Sequence, residues 1–243
     1  MVLTGVSSKA AVVAYWDFDE GTGTAVSDSS GNANNGALVN GGASPWVAGK
    51  YGTAIDFNAT LGTFVGFADS STLYTPTALT MMAWIYSRDI SRDAPIFAQE
   101  GGSTNLGLNF QTNGGSIGIL LDSLGTAGWD LAGYQIGGVT TNQWTHLAAT
   151  WDGTTVKVYR DGVQLPTTFA FSGTLFDSSA AFTLGSNSSS SRFDGLIDDA
   201  RLYNTALTQS EIQSAMSSPI PEPGRMCLLM VGMVAGFLFH RRR

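Results

Sequence analysis

The chain has 243 residues, of which 43% are hydrophobic, only 13% are charged and 30 are glycine. That length admits one all-β domain or two small ones with a real core, and the mix predicts many strands joined by polar, glycine-rich turns. The net charge of −7 divides into −10 over residues 1–218 and +3 over residues 219–243, so the body repels phosphate backbones and nucleic-acid binding is excluded as its role. Cys227 is the only cysteine, which rules out an intramolecular disulfide and leaves stability to packing and, at most, a metal.

The first 11 residues read as an extension. "MVLTGVSSKAAVVAYWDF" holds one lysine and the five-residue apolar run AAVVA. A secretory signal needs a basic start and about 7–15 apolar residues, so none is read here. Either the protein stays inside the cell or the true start lies upstream, and the C-terminal tail favours the second.

Residues 12–216 read as one globular unit. Strands are predicted near 13–18, 53–58, 63–67, 79–86, 95–99, 105–110 and 116–121, and then near 144–151, 155–160, 163–165, 180–184 and 196–203. Short apolar segments at such regular spacing, punctuated by turn residues, argue for a sandwich of antiparallel sheets. In "VYRDGVQL", Asp161-Gly162 supplies the two positive-φ positions of a tight hairpin turn. One short helix is predicted at "TQSEIQSAM", where Thr208 and Glu211 form a capping box ahead of the stripe Ile212, Ala215, Met216. "SNSSSS" (186–191) reads as a loop tip. Residues 217–225, "SSPIPEPGR", read as an extended linker, because each proline blocks helix and sheet hydrogen bonding.

Four stretches in order, "YWDFDEGTGTAVSDSSGNANNG", "YGTAIDFN", "WTHLAATWDGTTVKVYRDG" and "FDGLIDDARLYNTALTQSEI", resemble the laminin-G-like, concanavalin A-like jelly-roll module of bacterial extracellular proteins. The likeness covers roughly residues 12–216. It implies an all-β fold of two curved antiparallel sheets, and a binding, adhesive or spacer role for a glycan or an extracellular protein. Fold alone does not give the ligand.

The tail has its own likeness. Pro221-Glu222-Pro223, the apolar run from Met226 to Phe239, and His240 followed by Arg241, Arg242 and Arg243 resemble the PEP-CTERM sorting signal of Gram-negative bacteria. The resemblance implies processing by an exosortase-type enzyme in the inner membrane and release to the cell surface or matrix. The physics agrees: fourteen residues make a helix of about 21 Å, short of the ~30 Å hydrocarbon core, and three arginines hold the far end in the cytoplasm. Residues 226–243 are therefore read as an address, with a permanent short anchor as the alternative.

Candidate chemistry is sparse. In "LIDDARLY", strict alternation puts Leu196, Asp198, Ala200 and Leu202 on one face and Ile197, Asp199, Arg201 and Tyr203 on the other. Asp199 can then pair with Arg201, while Asp198 has apolar company only and needs donors or a cation. The family likeness implies a structural calcium ion at Asp198, with Asp28 and Asp19 as further candidates; the alternative is Asp198 hydrogen-bonded to turn amides. His146 is read as a packed, hydrogen-bonded core histidine rather than a catalytic or metal-binding one. The four glutamates, Glu20, Glu100, Glu211 and Glu222, are scattered, and no E-x-D-x-x-E signature of sandwich-fold glycoside hydrolases is present, so no catalytic residue is assigned. A glycan-cleaving enzyme on the same fold and a passive matrix protein are the rival readings. For sugar stacking the candidates are Trp129 and Tyr134 in "GTAGWDLAGYQIGG", where glycines leave room for a ligand. Trp129 can equally plug an end of the sandwich. Trp16, Trp84, Trp144 and Trp151 fall in strand patterns and read as core, and Trp46 as an edge plug.

Overall fold

The computed structural model describes residues 11–68, 71–187 and 191–217. The predicted linker and sorting motif, including Pro221, Glu222, Pro223 and Arg241–Arg243, lie outside the described residues. Sixteen strands and one helix follow in order: β1 (Val12–Trp16), β2 (Ala25–Val26), β3 (Gly36–Val39), β4 (Trp46–Ala48), β5 (Thr53–Phe57), β6 (Phe64–Phe67), β7 (Leu79–Ser87) and β8 (Ala94–Glu100). Then come β9 (Leu106–Asn113), β10 (Ser116–Leu121), β11 (Leu131–Gly138), β12 (Trp144–Trp151), β13 (Thr155–Arg160), β14 (Val163–Ala170), β15 (Phe182–Leu184), β16 (Gly195–Tyr203) and α1 (Gln209–Ser217).

They build two antiparallel sheets packed face to face, the predicted jelly-roll sandwich. The first runs β14-β13-β12-β7-β16-β5-β4, with β1 also on β16; the second runs β11-β10-β9-β8-β15-β6-β3-β2. Between them lies one apolar core, in which Trp16 meets Phe67 at 4.4 Å and Phe182 at 6.1 Å between ring centroids. The buried indoles are satisfied: Trp16 Nε1 donates to the Asn34 carbonyl and Trp151 Nε1 to that of Phe171, both at 2.8 Å. Trp46 lies on edge strand β4, half-buried against the core, and donates to the Gly23 carbonyl at 2.9 Å.

A second, smaller cluster sits on the outer face of the first sheet, where Ile212 of α1 packs over Met82, Ala148, Tyr159 and Tyr203. The helix starts as its sequence dictates. The Thr208 amide donates to the Glu211 carboxylate at 2.8 Å, and the Glu211 amide returns a bond to the Thr208 hydroxyl at 3.3 Å. The β13–β14 hairpin likewise turns on Asp161 (φ 50°) and Gly162 (φ 73°).

The sequence expectations miss in three places. Strands β2, β3 and β4 were not predicted, being two to four residues long and too short for periodicity to register. Strand β11 was missed because its glycines and alternating exposure mimic a loop. Strand β14 extends to Ala170 despite Pro166, which an edge strand tolerates.

The alternation assigned to residues 196–203 also fails. A bulge between Asp198 and Arg201 shifts the register, with Asp199 at φ 55°. Ile197, Ala200 and Leu202 therefore all join the inter-sheet core, whereas Asp198 and Arg201 belong to the opposite, helix-covered side.

Since α1 closes the last described packing cluster, the protein truncated after residue 218 is expected to unfold in a single cooperative thermal transition with unchanged circular dichroism. Loss of that transition would show that the tail belongs to the fold.

Candidate functional site

A cleft of about 320 Å³ opens on the outward face of the second sheet. It arises from the two-residue period of β9, β10 and β11. Leu108 and Phe110 of β9 and Ile117, Ile119 and Leu121 of β10 enter the core, so Asn109, Gln111 and Gly118 face outward. Across the ladder Gly118 stands opposite Gln111 on one side and Tyr134 on the other. A Cβ on Gly118 would come within 2.7 Å of Tyr134 Cε1 and 3.1 Å of Gln111 Cγ, so the bare glycine is what seats the tyrosine ring.

Polar contacts then fix the ring's rim. Gln111 Nε2 donates to the Tyr134 hydroxyl and to Asp93, both at 3.1 Å, and Asn113 Nδ2 donates to the same Asp93 oxygen. Burial first and the nearby Asp93 charge second raise the Tyr134 pKa, so the phenol keeps its proton. At the other end Asn109 Nδ2 contacts Glu100 at 3.4 Å. Asn109 is 2% exposed, and its Oδ1 has no hydrogen-bond partner.

Trp129 stands on the 122–130 loop at the mouth of the same cleft. Two aspartates shape that loop: Asp122 accepts from the Gly125 amide at 2.7 Å, and Asp130 accepts from the Ser123 amide and hydroxyl at 2.9 and 2.5 Å. The Ser123 bonds lower the Asp130 pKa. The structure thus brings Trp129 and Tyr134 into one cleft. Asn109, Gln111 and Asp93 were not singled out from sequence; the signal was the alternation Leu-Asn-Phe-Gln in β9.

The three metal candidates do not converge. Asp28 is committed to backbone amides, accepting from Tyr15, Ser30 and Asn34, each at 2.9 Å. Asp19 and Asp198 hold the same turn, residues 49–53, from two sides. Asp19 accepts from the Thr53 amide at 2.8 Å, in space that exists because residue 52 is a glycine (φ +49°) whose Cβ would collide with the carboxylate. Asp198 Oδ2 accepts from the Tyr51 amide at 2.9 Å, which replaces the purely apolar surroundings predicted for it. Its Oδ1 is buried and makes no hydrogen bond.

Among the described residues no three His, Cys, Asp or Glu side chains group to hold a metal. The orphaned Asp198 Oδ1 is nevertheless a feature that suits an oxygen-seeking cation such as calcium; Asp198 would then be its carboxylate ligand, and the ion would neutralise the buried charge.

The predicted Asp199–Arg201 pair forms, at 3.1 Å and almost wholly buried, with the guanidinium 4.4 Å from the centre of the Tyr15 ring. His146 is packed in the interior as expected, but its Nδ1 is buried without the hydrogen bond expected for it. It is 1% exposed and meets Trp84 edge-on at 5.3 Å, and burial, with the Arg201 charge adding to it, pushes its pKa down to about 3. It stays neutral at physiological pH.

Comparison with known proteins now bears on these features. The sequence model of the concanavalin A-like lectin/glucanases superfamily matches residues 58–213. The chain belongs to this family. Pappalysin-1 of Mus musculus is 35% identical over 89 residues, and adhesion G-protein coupled receptor V1 of Danio rerio 23% identical over 175. The matched stretches are 33% and 68% of this chain but only 6% and 3% of those proteins, so the likeness is to a module within each. Domain 4 of AbnA, a GH43 extracellular arabinanase from Geobacillus stearothermophilus solved with arabinotriose, superposes with a TM-score of 0.67 at 25% identity, covering 86% of this chain and 99% of that one. The botulinum neurotoxin serotype D ligand-binding domain, solved with N-acetylneuraminic acid, gives a TM-score of 0.60 at 14% identity, over 84% of this chain and 50% of its own. The second likeness shows the fold alone.

Burial raises the Asp198 pKa from 3.8 to about 7, with the Asp199 charge adding to it and the Tyr51 amide opposing. The folded state therefore holds this proton more tightly than the unfolded chain. Its contribution is complete below about pH 4 and is lost as pH rises through about 7. In chelator, wild-type stability measured against Asp198→Asn is expected to fall across that window by up to roughly 3–4 kcal/mol, at ~1.4 kcal/mol per pH unit. Parallel pH profiles for the two proteins would contradict this.

Proposed function

We propose that the protein is a non-catalytic glycan-binding module, with the Trp129–Tyr134 cleft as its binding site. The observation that carries this reading is the combination, in one opening, of two accessible aromatic rings with the outward-facing amides of Asn109 and Gln111. Rings stack on the apolar faces of sugars, and short polar groups read their hydroxyls. A neighbour that superposes over nearly its whole length and was solved in complex with arabinotriose supports a carbohydrate ligand.

No hydrolytic carboxylate pair is assigned to the cleft: Asp93 precedes β8 and Glu100 ends it, and each is engaged by a different amide of β9, Gln111 and Asn109. His146 is buried elsewhere, among the residues beneath α1.

The expected test is Trp129→Ala. Stacking on an aromatic is worth ~1–3 kcal/mol by alanine substitution, so glycan affinity should drop roughly 5–150-fold with an unchanged melting temperature. A large loss of stability with affinity retained would mark Trp129 as a plug of the sandwich. Gly118→Ala is expected to weaken the same ligand by displacing the Tyr134 ring, since its backbone is not in the left-handed region and tolerates alanine.

Two further parts of the reading rest on sequence and local chemistry. Calcium at Asp198 would add about 2.7 kcal/mol at a hundredfold excess over Kd, a melting shift of roughly 5–10 °C that chelation removes. Asp198→Asn should abolish that shift; equal melting temperatures of the wild type in calcium and in chelator would defeat the metal. Export through the PEP-type tail, with exosortase processing at the inner membrane and a final place at the cell surface or matrix, follows from the Pro221-Glu222-Pro223 motif and the arginine cluster.

A further inference from the structure

We infer that the cleft selects uncharged oligosaccharides and rejects acidic ones. This rests on the glycan-binding reading and adds the class of sugar. The cleft carries a carboxylate at each end, Asp93 and Glu100, and no lysine or arginine of the described residues lines it. Of the cations nearest in sequence, Arg92 pairs with Asp89 at 2.6 Å, and Arg192, beside the lining residues Asn187 and Ser191, has its Nη1 engaged by their main-chain carbonyls at 3.1 and 3.0 Å.

The lining is also rich in acceptors. Both carboxylates accept only, and Asn109 Oδ1 is buried at the floor without a donor. Gln111 Nε2 is already shared between Asp93 and the Tyr134 hydroxyl. A neutral sugar answers this surface, because each of its hydroxyls can donate as well as accept. A uronate or sialate carboxylate brings acceptors alone and a like charge into a cleft of a body that already carries −10. Like charges so placed oppose binding, and salt weakens the effect.

The experiment uses the full-length protein on paired glycans: lactose beside sialyllactose, methyl-esterified oligogalacturonate beside the free acid, and arabinotriose as a further neutral probe. At low ionic strength the neutral members are expected to bind at least about tenfold more tightly than their acidic partners. The gap should narrow in high salt and in the Asp93→Asn/Glu100→Gln double variant. Equal or tighter binding of the acidic members, or a gap untouched by both salt and the double variant, overturns the inference while leaving glycan binding standing. Silence on every probe, or neutral binding that survives Trp129→Ala, overturns the cleft reading itself and this inference with it.

Discussion

The proposed binding face depends on one constraint, the register that sets Gln111, Gly118 and Tyr134 side by side across three strands. Phe110 and Ile119 must enter the core, and the two-residue period then leaves no choice for their neighbours. A one-residue slip would bury the polar row and expose the core. The same hydrophobic pairing that closes the sandwich thus aims the amides and the tyrosine outward. Gly118 gives the ring its seat, and the Gln111–Asp93 contacts hold its hydroxyl. The site is built on strands and finished by one loop, so most of its polar groups are positioned before any ligand arrives. Such preorganisation lowers the ordering cost of binding.

The opposite sheet solves a different problem. Strand β16 pairs with β5 through Gly195–Ile197 and with β1 from Ala200 onward, so it changes partner midway along one edge. The bulge falls at that junction, and it places two consecutive carboxylates where the ladder is interrupted. Asp199 is matched by Arg201. Asp198 ties the 49–53 turn to the sheet through the Tyr51 amide but keeps one oxygen without a donor. The turn is also joined to the end of α1, because the Tyr51 hydroxyl and Trp84 Nε1 both reach the Met216 carbonyl, at 3.2 and 3.4 Å. This region is a structural hub, distinct from the cleft on the other sheet.

Much of the architecture was legible in the sequence because it rests on local signals. Apolar runs such as "LTMMAWIY" and "WTHLAATW" are long enough for their strands to be read directly, and the Asp161-Gly162 turn and the Thr208–Glu211 box name their own geometry. What stayed hidden depends on pairing. Strand β11 is a strand because β10 lends it hydrogen bonds, not because "LAGYQIGG" favours one. The bulge at Asp199 inverts the face of every residue after it; aspartate tolerates φ 55°, but without a following glycine and amid an apolar run nothing in the sequence marks this one for it. Trp129 and Tyr134 could be picked out as aromatics among glycines. Asn109 and Gln111 could not, since amides alternating with core residues look the same on any solvated strand. Only the fold shows them sharing an opening.

The most direct measurement is a crystal structure of the protein with the oligosaccharide that binds it best in solution. The account predicts sugar density in the cleft of the second sheet, with a pyranose or furanose ring on Trp129 or Tyr134 and a hydroxyl within hydrogen-bonding distance of Asn109 or Asp93. Density at the 49–53 turn, or at any other surface with the cleft empty, would contradict it.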